Sequence, residues 1–417
     1  MMNSVRELSR CRICQGEFFT DSLKLKDSPL ANELYPTLGS AQAADTFPLE
    51  IVMCKSCKHI QLKHIVDPER LFSKYIYASG TSETFRMHFD LLAEKIANLV
   101  PAGVIVEVGS NDGTLLEALK NRGLITIGVE PSASLVELSK SKCNTIYHGF
   151  LNQELTKRIL SDSESVDLVV GNNVFAHIDD IVDAIKNVYD LLKVDGYFIF
   201  EVAHVLSLVK NNLFDTIYHE HMSYHSVIAL IPLLQGLGFS IVDVEEIETH
   251  GGSIRVICRK TSNLAPSSPN MDSIIARERE MNLDSADWIR LFDTRLKNLF
   301  TATQLEIASK ESNASWLGYG APAKAVTFIN QFDLGSLRLL GIIDDNPEKQ
   351  GKYLPSSGFE IISKGEMLKR IDEHPVGIKY YCIIFPWNLS DEIAEKLVLS
   401  VGRTLKAIWF LPYYKER

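Results

Sequence analysis

The densest set of reactive side chains in the sequence is Tyr218, His219, Glu220 and His221. Tyr224 and His225 follow closely, and Glu248-Thr-His250-Gly-Gly-Ser253-Ile-Arg255 lies further along. Imidazoles, carboxylates and phenols crowded in this way supply proton acceptors and hydrogen-bond donors near neutral pH. A zinc-protease helix is excluded, because His-Glu-x-x-His starting at His219 would need a histidine where Ser223 stands. A metal pair His221-x-x-x-His225 and a purely structural cluster both stay open. His204 and His250 read as hydrogen-bonded core or turn residues.

Four of the seven cysteines form two Cys-x-x-Cys pairs, Cys11 with Cys14 and Cys54 with Cys57. Two such knuckles bring four thiolates to tetrahedral reach, which is the donor set of a closed structural Zn2+ site with no open position for chemistry. His59 and His64 lie near the second pair and could replace a ligand, although four cysteines make that unnecessary. Cys143, Cys258 and Cys382 are solitary, so no disulfide framework is expected.

A third pattern is Glu107-Val-Gly109-Ser-Asn111-Asp112-Gly113, between an apolar run and an apolar helix start. Glycines there permit close backbone approach to a ligand. Carboxylates at that turn would repel a diphosphate but suit a sulfonium ligand that also bears an amino group. The next run ends at Glu130, placed to accept from ribose hydroxyls, and a third ends at Asn172, Asn173 and His177. In this order the signals resemble the S-adenosylmethionine (SAM) pocket of class I methyltransferases.

Positioning these residues requires a sheet. Residues 104–108, 125–129, 166–170 and 196–200 are short apolar runs separated by helix-like segments, which implies a parallel doubly wound sheet. Residues 241–244 and 253–258 could pair as an antiparallel edge. Phe85, Phe89, Leu92, Ile96 and Val100 repeat at helical spacing ahead of it. Residues 263–271 read as a linker, followed by one long charged amphipathic segment over 273–309. Runs at 315–319, 337–343 and 380–385 then predict a second, smaller α/β domain. In that domain Gly320 and Lys324 sit at a strand-to-helix turn, an anion site suited to a substrate diphosphate, and Asp344 ends the next strand.

The chain has 417 residues, 46% of them hydrophobic, and a formal net charge of −10. That size suits two or three domains, and the acidic balance gives no global field to attract nucleic acid. No stretch offers about 18 uninterrupted apolar residues for a membrane span, and the N-terminus lacks a signal-peptide core. A cytoplasmic protein that binds neither nucleic acid nor membrane is expected.

With Tyr-His-Glu-His at 218–221 and His-Gly-Gly-Ser-x-Arg at 250–255, the whole chain resembles the sugar C-methyltransferases of branched deoxysugar pathways, such as those leading to tetronitrose, mycarose or noviose. The resemblance implies a zinc-binding module at 1–75, a class I Rossmann-like SAM domain at 76–262, and a smaller Rossmann-like α/β domain at 263–417. It implies a nucleotide-linked keto-deoxysugar substrate carried on dTDP or GDP. Tyr218, Glu220 and His221 would lie around the sugar, His221 as general base and His177 beside it, with Tyr75 and Tyr77 reaching the substrate from the module junction. The expected cofactor-binding set is Glu107, Gly109, Asn111, Asp112, Gly113, Glu130, Asn172 and Asn173, and a monomer is expected. The competing readings are a zinc-module RNA methyltransferase, an NAD-dependent nucleotide-sugar oxidoreductase using the Gly320 turn, and a nonenzymatic zinc scaffold.

Overall fold

Runs of four to twelve residues bounded by glycine or polar turns fold here as strands. In the computed structural model, which describes residues 5–72, 83–163, 165–263, 266–310, 314–337, 339–375, 378–401 and 405–417, seven of them make the central sheet. They are β1 (Val104–Val108), β2 (Ile125–Glu130), β3 (Thr145–His148), β4 (Val166–Asn172), β5 (Leu192–Ala203), β6 (Phe239–Ile247) and β7 (Ser253–Lys260). Their spatial order is β3-β2-β1-β4-β5-β7-β6. Strands β1 to β5 run parallel, and β7 inserts antiparallel between β5 and β6. The order reverses between β1 and β4, so a ligand crevice opens at their carboxyl ends.

Helix Glu83–Leu99 covers one face of the sheet. Its i, i+3, i+4, i+7 stripe of Phe89, Leu92, Ala93 and Ile96 is buried against Ile105, Leu168, Val170 and Ile199. Burying each large side chain contributes about 1.5–3 kcal/mol, so Leu92→Ala would cost about 2–5 kcal/mol. The other face packs helices Ile181–Leu191 and Val227–Gly236. Glu278, fully buried, caps the N-terminus of the latter by accepting from Val227 N and Ile228 N, and pairs with His204 at 2.7 Å.

Residues 5–72 are more regular than their composition suggests. Strands Leu23–Lys24, Glu50–Met53 and Ile60–Leu62 form a small antiparallel sheet. Its edge is completed from the central region, because Ser223–Tyr224 pairs with Ile60 and Gln61. The segment predicted as one long amphipathic unit is two helices, Pro269–Glu280 and Asp287–Ala308, broken where Asn282 takes φ 58°. The last region is a six-stranded sheet in the order 361–362, 339–343, 315–319, 380–384, 405–409, 415–416. One apolar core joins Ile51 and Leu62 of the first region, Phe214 and Ile217 of the loop after β5, and Phe328 and Phe385 of the last. No described helix is long and apolar enough to cross a membrane.

Candidate active site

At the carboxyl end of β1 the chain must turn sharply while leaving room for a ligand. Gly109 takes φ +65°, and a Cβ there would lie 2.8 Å from Val174 Cγ2, so only glycine fits. Gly113 (φ +76°) then opens helix Thr114–Lys120. Glu130 at the end of β2 accepts from Asn111 N and Ser132 N, both at 2.8 Å, so its carboxylate pins the turn as well as facing it. Phe89, Glu107, Gly109, Ser110, Asn111, Asp112, Thr114, Leu115 and Asn172 line a cleft of about 240 Å³, its open mouth included. The predicted donor-site residues thus converge, with Asn173 one step beyond, at φ 55° and bonded through its N–H to Glu201 O. Phe89 and Ser110 are additions that the motif did not single out.

The charges of this cleft select its ligand. Burial pushes the Glu107 carboxyl well above its ordinary range, and the neighbouring Asp112 and Glu130 push the same way. Glu107 Oε2, Ser110 Oγ and Asn172 Oδ1 are buried acceptors without partners. A ligand bringing positive charge and N–H or O–H donors satisfies them, whereas a diphosphate would add repulsion. SAM, with its sulfonium, ammonium and ribose hydroxyls, fits.

From Asn172 the chain leads directly to the second cluster. Asn172 Nδ2 lies 3.5 Å from Glu107 Oε1, and five residues on, the His177 ring stands 5.0 Å from that of His221, centroid to centroid. His177 Nδ1 donates to Glu220 O at 2.8 Å, and burial pushes its pKa down to about 4. His221 Nδ1 lies 2.8 Å from Thr216 O, so that nitrogen carries the proton and Nε2 is the acceptor. Tyr218 Oη, 2.8 Å from Nε2, must therefore donate to it. Burial, then the neighbouring His177 imidazole, with which it cannot share a second positive charge, holds His221 well below its ordinary value, so the ring is neutral. Glu220, 2% exposed, accepts from Asn32 Nδ2 at 2.7 Å, and burial raises its pKa to about 7. Asn32 comes from the N-terminal region, and no pattern in the sequence marked it.

His221 and His225 do not pair on a metal. His225 Nε2 faces Phe175 O, and the one metal-capable group among the described residues is Cys11, Cys14, Cys54 and Cys57. Their sulfurs lie within 4.8 Å of one another, with Cys11–Cys57 and Cys14–Cys54 at 3.5 Å. The edge of a ZnS4 tetrahedron is about 3.8 Å for Zn–S bonds of about 2.3 Å, so the set fits Zn2+. The two knuckles repeat one backbone pattern: Cys11 N to Gly16 O and Gln15 N to Cys11 O match Cys54 N to His59 O and Lys58 N to Cys54 O. His59 turns away to Ser223 Oγ at 3.1 Å, and His64 lies beside Glu50.

The C-terminal turn is built differently from a diphosphate cradle. Asp344 accepts from Ala321 N and Asn346 N, so its carboxylate pins the loop beside Gly320. Lys324 turns back from the turn, its Nζ bonded to Asn388 Oδ1 and 4.0 Å from the Trp387 ring centroid. Burial lowers its pKa to about 8, against the charge of Asp215. Asp215, 1% exposed, accepts from Trp387 Nε1 at 2.8 Å, and its pKa is pushed up to about 6 by burial. Gly320 and Asp344 thus meet, while Lys324 serves the loop that carries Thr216. Tyr75 and Tyr77 lie outside the described residues.

Family models match along the chain in three parts: a zinc binding domain at residues 11–72, a methyltransferase domain at 82–244 and a C-methyltransferase C-terminal domain at 248–412. C-methyltransferase NovU of Streptomyces niveus is 31% identical over 401 residues, covering 95% of this chain and 93% of that protein. The chain belongs to this C-methyltransferase family. An uncharacterized methyltransferase of Oceanobacillus iheyensis is 32% identical over 120 residues, 27% of this chain and 52% of that one. Among solved structures, magnesium protoporphyrin IX methyltransferase of Synechocystis PCC 6803 with bound SAH has 18% identity and a TM-score of 0.35, over 42% of this chain and 83% of its own. The CcbJ methyltransferase of Streptomyces caelestis has 12% identity and a TM-score of 0.36, over 46% and 96%. This C-methyltransferase is SAM-dependent, with its methyltransferase domain at residues 82–244 and a zinc-binding domain at 11–72.

Proposed function

We propose that this C-methyltransferase acts on a dTDP- or GDP-linked 4-keto-6-deoxysugar, methylating a carbon alpha to the ketone, typically C-3. The observation that carries the reading is the path from Asn172 to His177, which leads from the SAM cleft to a neutral histidine pair within a few residues. Carbon next to a carbonyl is the only sugar carbon acidic enough to be made nucleophilic by such bases. Bound SAM supplies the electrophilic methyl.

The residues divide the proton work. Tyr218 Oη takes the alpha proton as its own passes to His221 Nε2, leaving an enolate and an imidazolium. Burial disfavours a lone imidazolium there, but it forms together with the enolate as an ion pair, which the same low dielectric strengthens. Thr216 O holds Nδ1–H and so keeps Nε2 the accepting nitrogen throughout. In this reading His177 and Glu220 bind sugar oxygens, and the protonated form of Glu220 donates to a ketone oxygen turning into an enolate. We further propose a monomeric protein in the cytoplasm, with no nucleic-acid partner.

Incubation in deuterated water with a panel of such nucleotide sugars, with and without SAM, tests this. Deuterium uptake at the alpha carbon without SAM and methyl gain with it are expected. If no keto sugar is exchanged or methylated while another acceptor class gains the methyl group, the substrate assignment is wrong.

A further inference from the structure

Arg12 stands between two zinc ligands, Cys11 and Cys14, yet its side chain is only 2% exposed and points away from the metal set into the central domain. Its backbone N–H donates to Gln61 Oε1 at 3.0 Å. One terminal nitrogen donates to Met222 O, and the other lies 3.4 Å from Asp179 Oδ1. Met222 directly follows His221, and Asp179 lies two residues after His177. The two histidine-bearing segments are also tied to each other, since Met222 N and Ser223 N both donate to Ala176 O. Leu62 N shares Met222 O with the guanidinium at 3.0 Å. Arg12, Met222, Ala176 and Asp179 thus close a ring of hydrogen bonds around the backbone on which His177 and His221 stand.

We propose that Arg12 is a positioning residue, through which the metal-set geometry of the first knuckle fixes the relative placement of His177 and His221. A buried guanidinium with two fixed acceptors is directional in a way that an apolar contact is not, because its planar fork admits one orientation of each partner. Four thiolates around Zn2+ carry a formal surplus of two negative charges, and the buried Arg12 cation offsets one of them. Zinc then acts at a distance: it shapes the Cys11–Cys14 turn, and Arg12 hands that shape to the histidine segments. The catalytic part of this inference rests on the proposed roles of His177 and His221, but its structural part does not.

The test uses the full-length zinc-loaded protein, labelled with 15N-histidine, as wild type and as Arg12→Met, Arg12→Lys and Asp179→Asn. Zinc content and SAM affinity are measured first, and both are expected to stay within about twofold, since neither site includes the guanidinium. In Arg12→Met the ring-nitrogen resonances of His177 and His221 are expected to move. With a sugar substrate, kcat is expected to fall about 100-fold, the loss typical of a misplacement of about 1 Å, with KM changed far less. Arg12→Lys restores part of the loss, and Asp179→Asn moves the same resonances by less. If Arg12→Met does not fold, the two milder variants carry the test. Unmoved His177 and His221 resonances in every folded, zinc-replete variant overturn the proposal, whether or not the sugar assignment holds. Moved resonances with unchanged kcat would limit it to structure and overturn its catalytic part.

Discussion

Tyr218→Phe separates two ways of using the same histidine. The substitution keeps the ring, whose centroid lies 4.0 Å from that of His221, and removes only the hydroxyl that donates to Nε2 across 2.8 Å. If that hydroxyl were merely a hydrogen-bond partner, its loss would cost about 0.5–1.5 kcal/mol, at most about tenfold in rate. It would even free Nε2 to meet the substrate directly. If the alpha proton passes through Tyr218, the variant loses general-base catalysis, a factor of about 10² to 10⁴, or about 2.7–5.5 kcal/mol at about 1.36 kcal/mol per decade. The two magnitudes do not overlap, so one measurement decides. The assay is alpha-carbon deuterium uptake without SAM, followed by NMR, with SAM affinity as the control for folding. The relay predicts loss of exchange in both Tyr218→Phe and His221→Asn. Exchange within tenfold of wild type in Tyr218→Phe, with loss in His221→Asn, would refute the relay and make His221 the direct base.

Glu107→Gln should weaken SAM binding about tenfold to 100-fold by calorimetry, the worth of a charged hydrogen bond, yet raise the thermal midpoint of the ligand-free protein, because a buried, largely unpaired carboxyl is removed; unchanged affinity would remove Glu107 from the cofactor site. Trp387→Phe strips a donor from a carboxylate that already has one unpartnered oxygen, so stability in urea should fall by about 1–3 kcal/mol, with a drop in kcat as the Thr216 carbonyl loosens. His219 is buried and held at about 4 by burial, below the ordinary 6.5. A depressed histidine pKa means that the unfolded chain binds the extra proton first, so stability is lost as pH falls from about 6.5 to about 4. His219→Gln should therefore flatten urea midpoints over that window by up to about 3 kcal/mol, and an equally steep acid limb in the variant would contradict this.

The parts of the molecule legible in the sequence are those whose physics is local. The turn from Glu107 to Gly113 needs glycine at a positive φ and an acid at a strand end, and both requirements show in one short window. The cysteine knuckles carry their ligand geometry in their spacing. Strand β3 was missed because Thr145-Ile-Tyr-His148 is a short edge strand with one fully buried side chain, Tyr147, and so has little apolar signature. Asn32, Arg12 and Trp387 were invisible for another reason. Each acts on a residue about 170 or more positions away, and nothing nearby in the sequence, not even the cysteines that flank Arg12, shows that partner. Lys324 shows the converse: a helix N-terminus plus lysine reads as an anion site, but Asp215 of the central domain and Trp387 of its own domain already stand beside the ammonium.

The pairing of Ser223–Tyr224 with Ile60 and Gln61 bears on how such enzymes could be recombined. By covalent connection and by the bonds of Met222 N and Ser223 N to Ala176 O residues 213–225 belong to the central domain, but their strand pairing and their apolar core tie them to the domains on either side as well. A chimera cut at the sequence boundaries would join a foreign zinc domain to a native reaction loop and leave an open strand edge where the base should be held. The transplantable unit is discontinuous: the first seventy or so residues travel with the loop and with residues 176–179, which both of them bond.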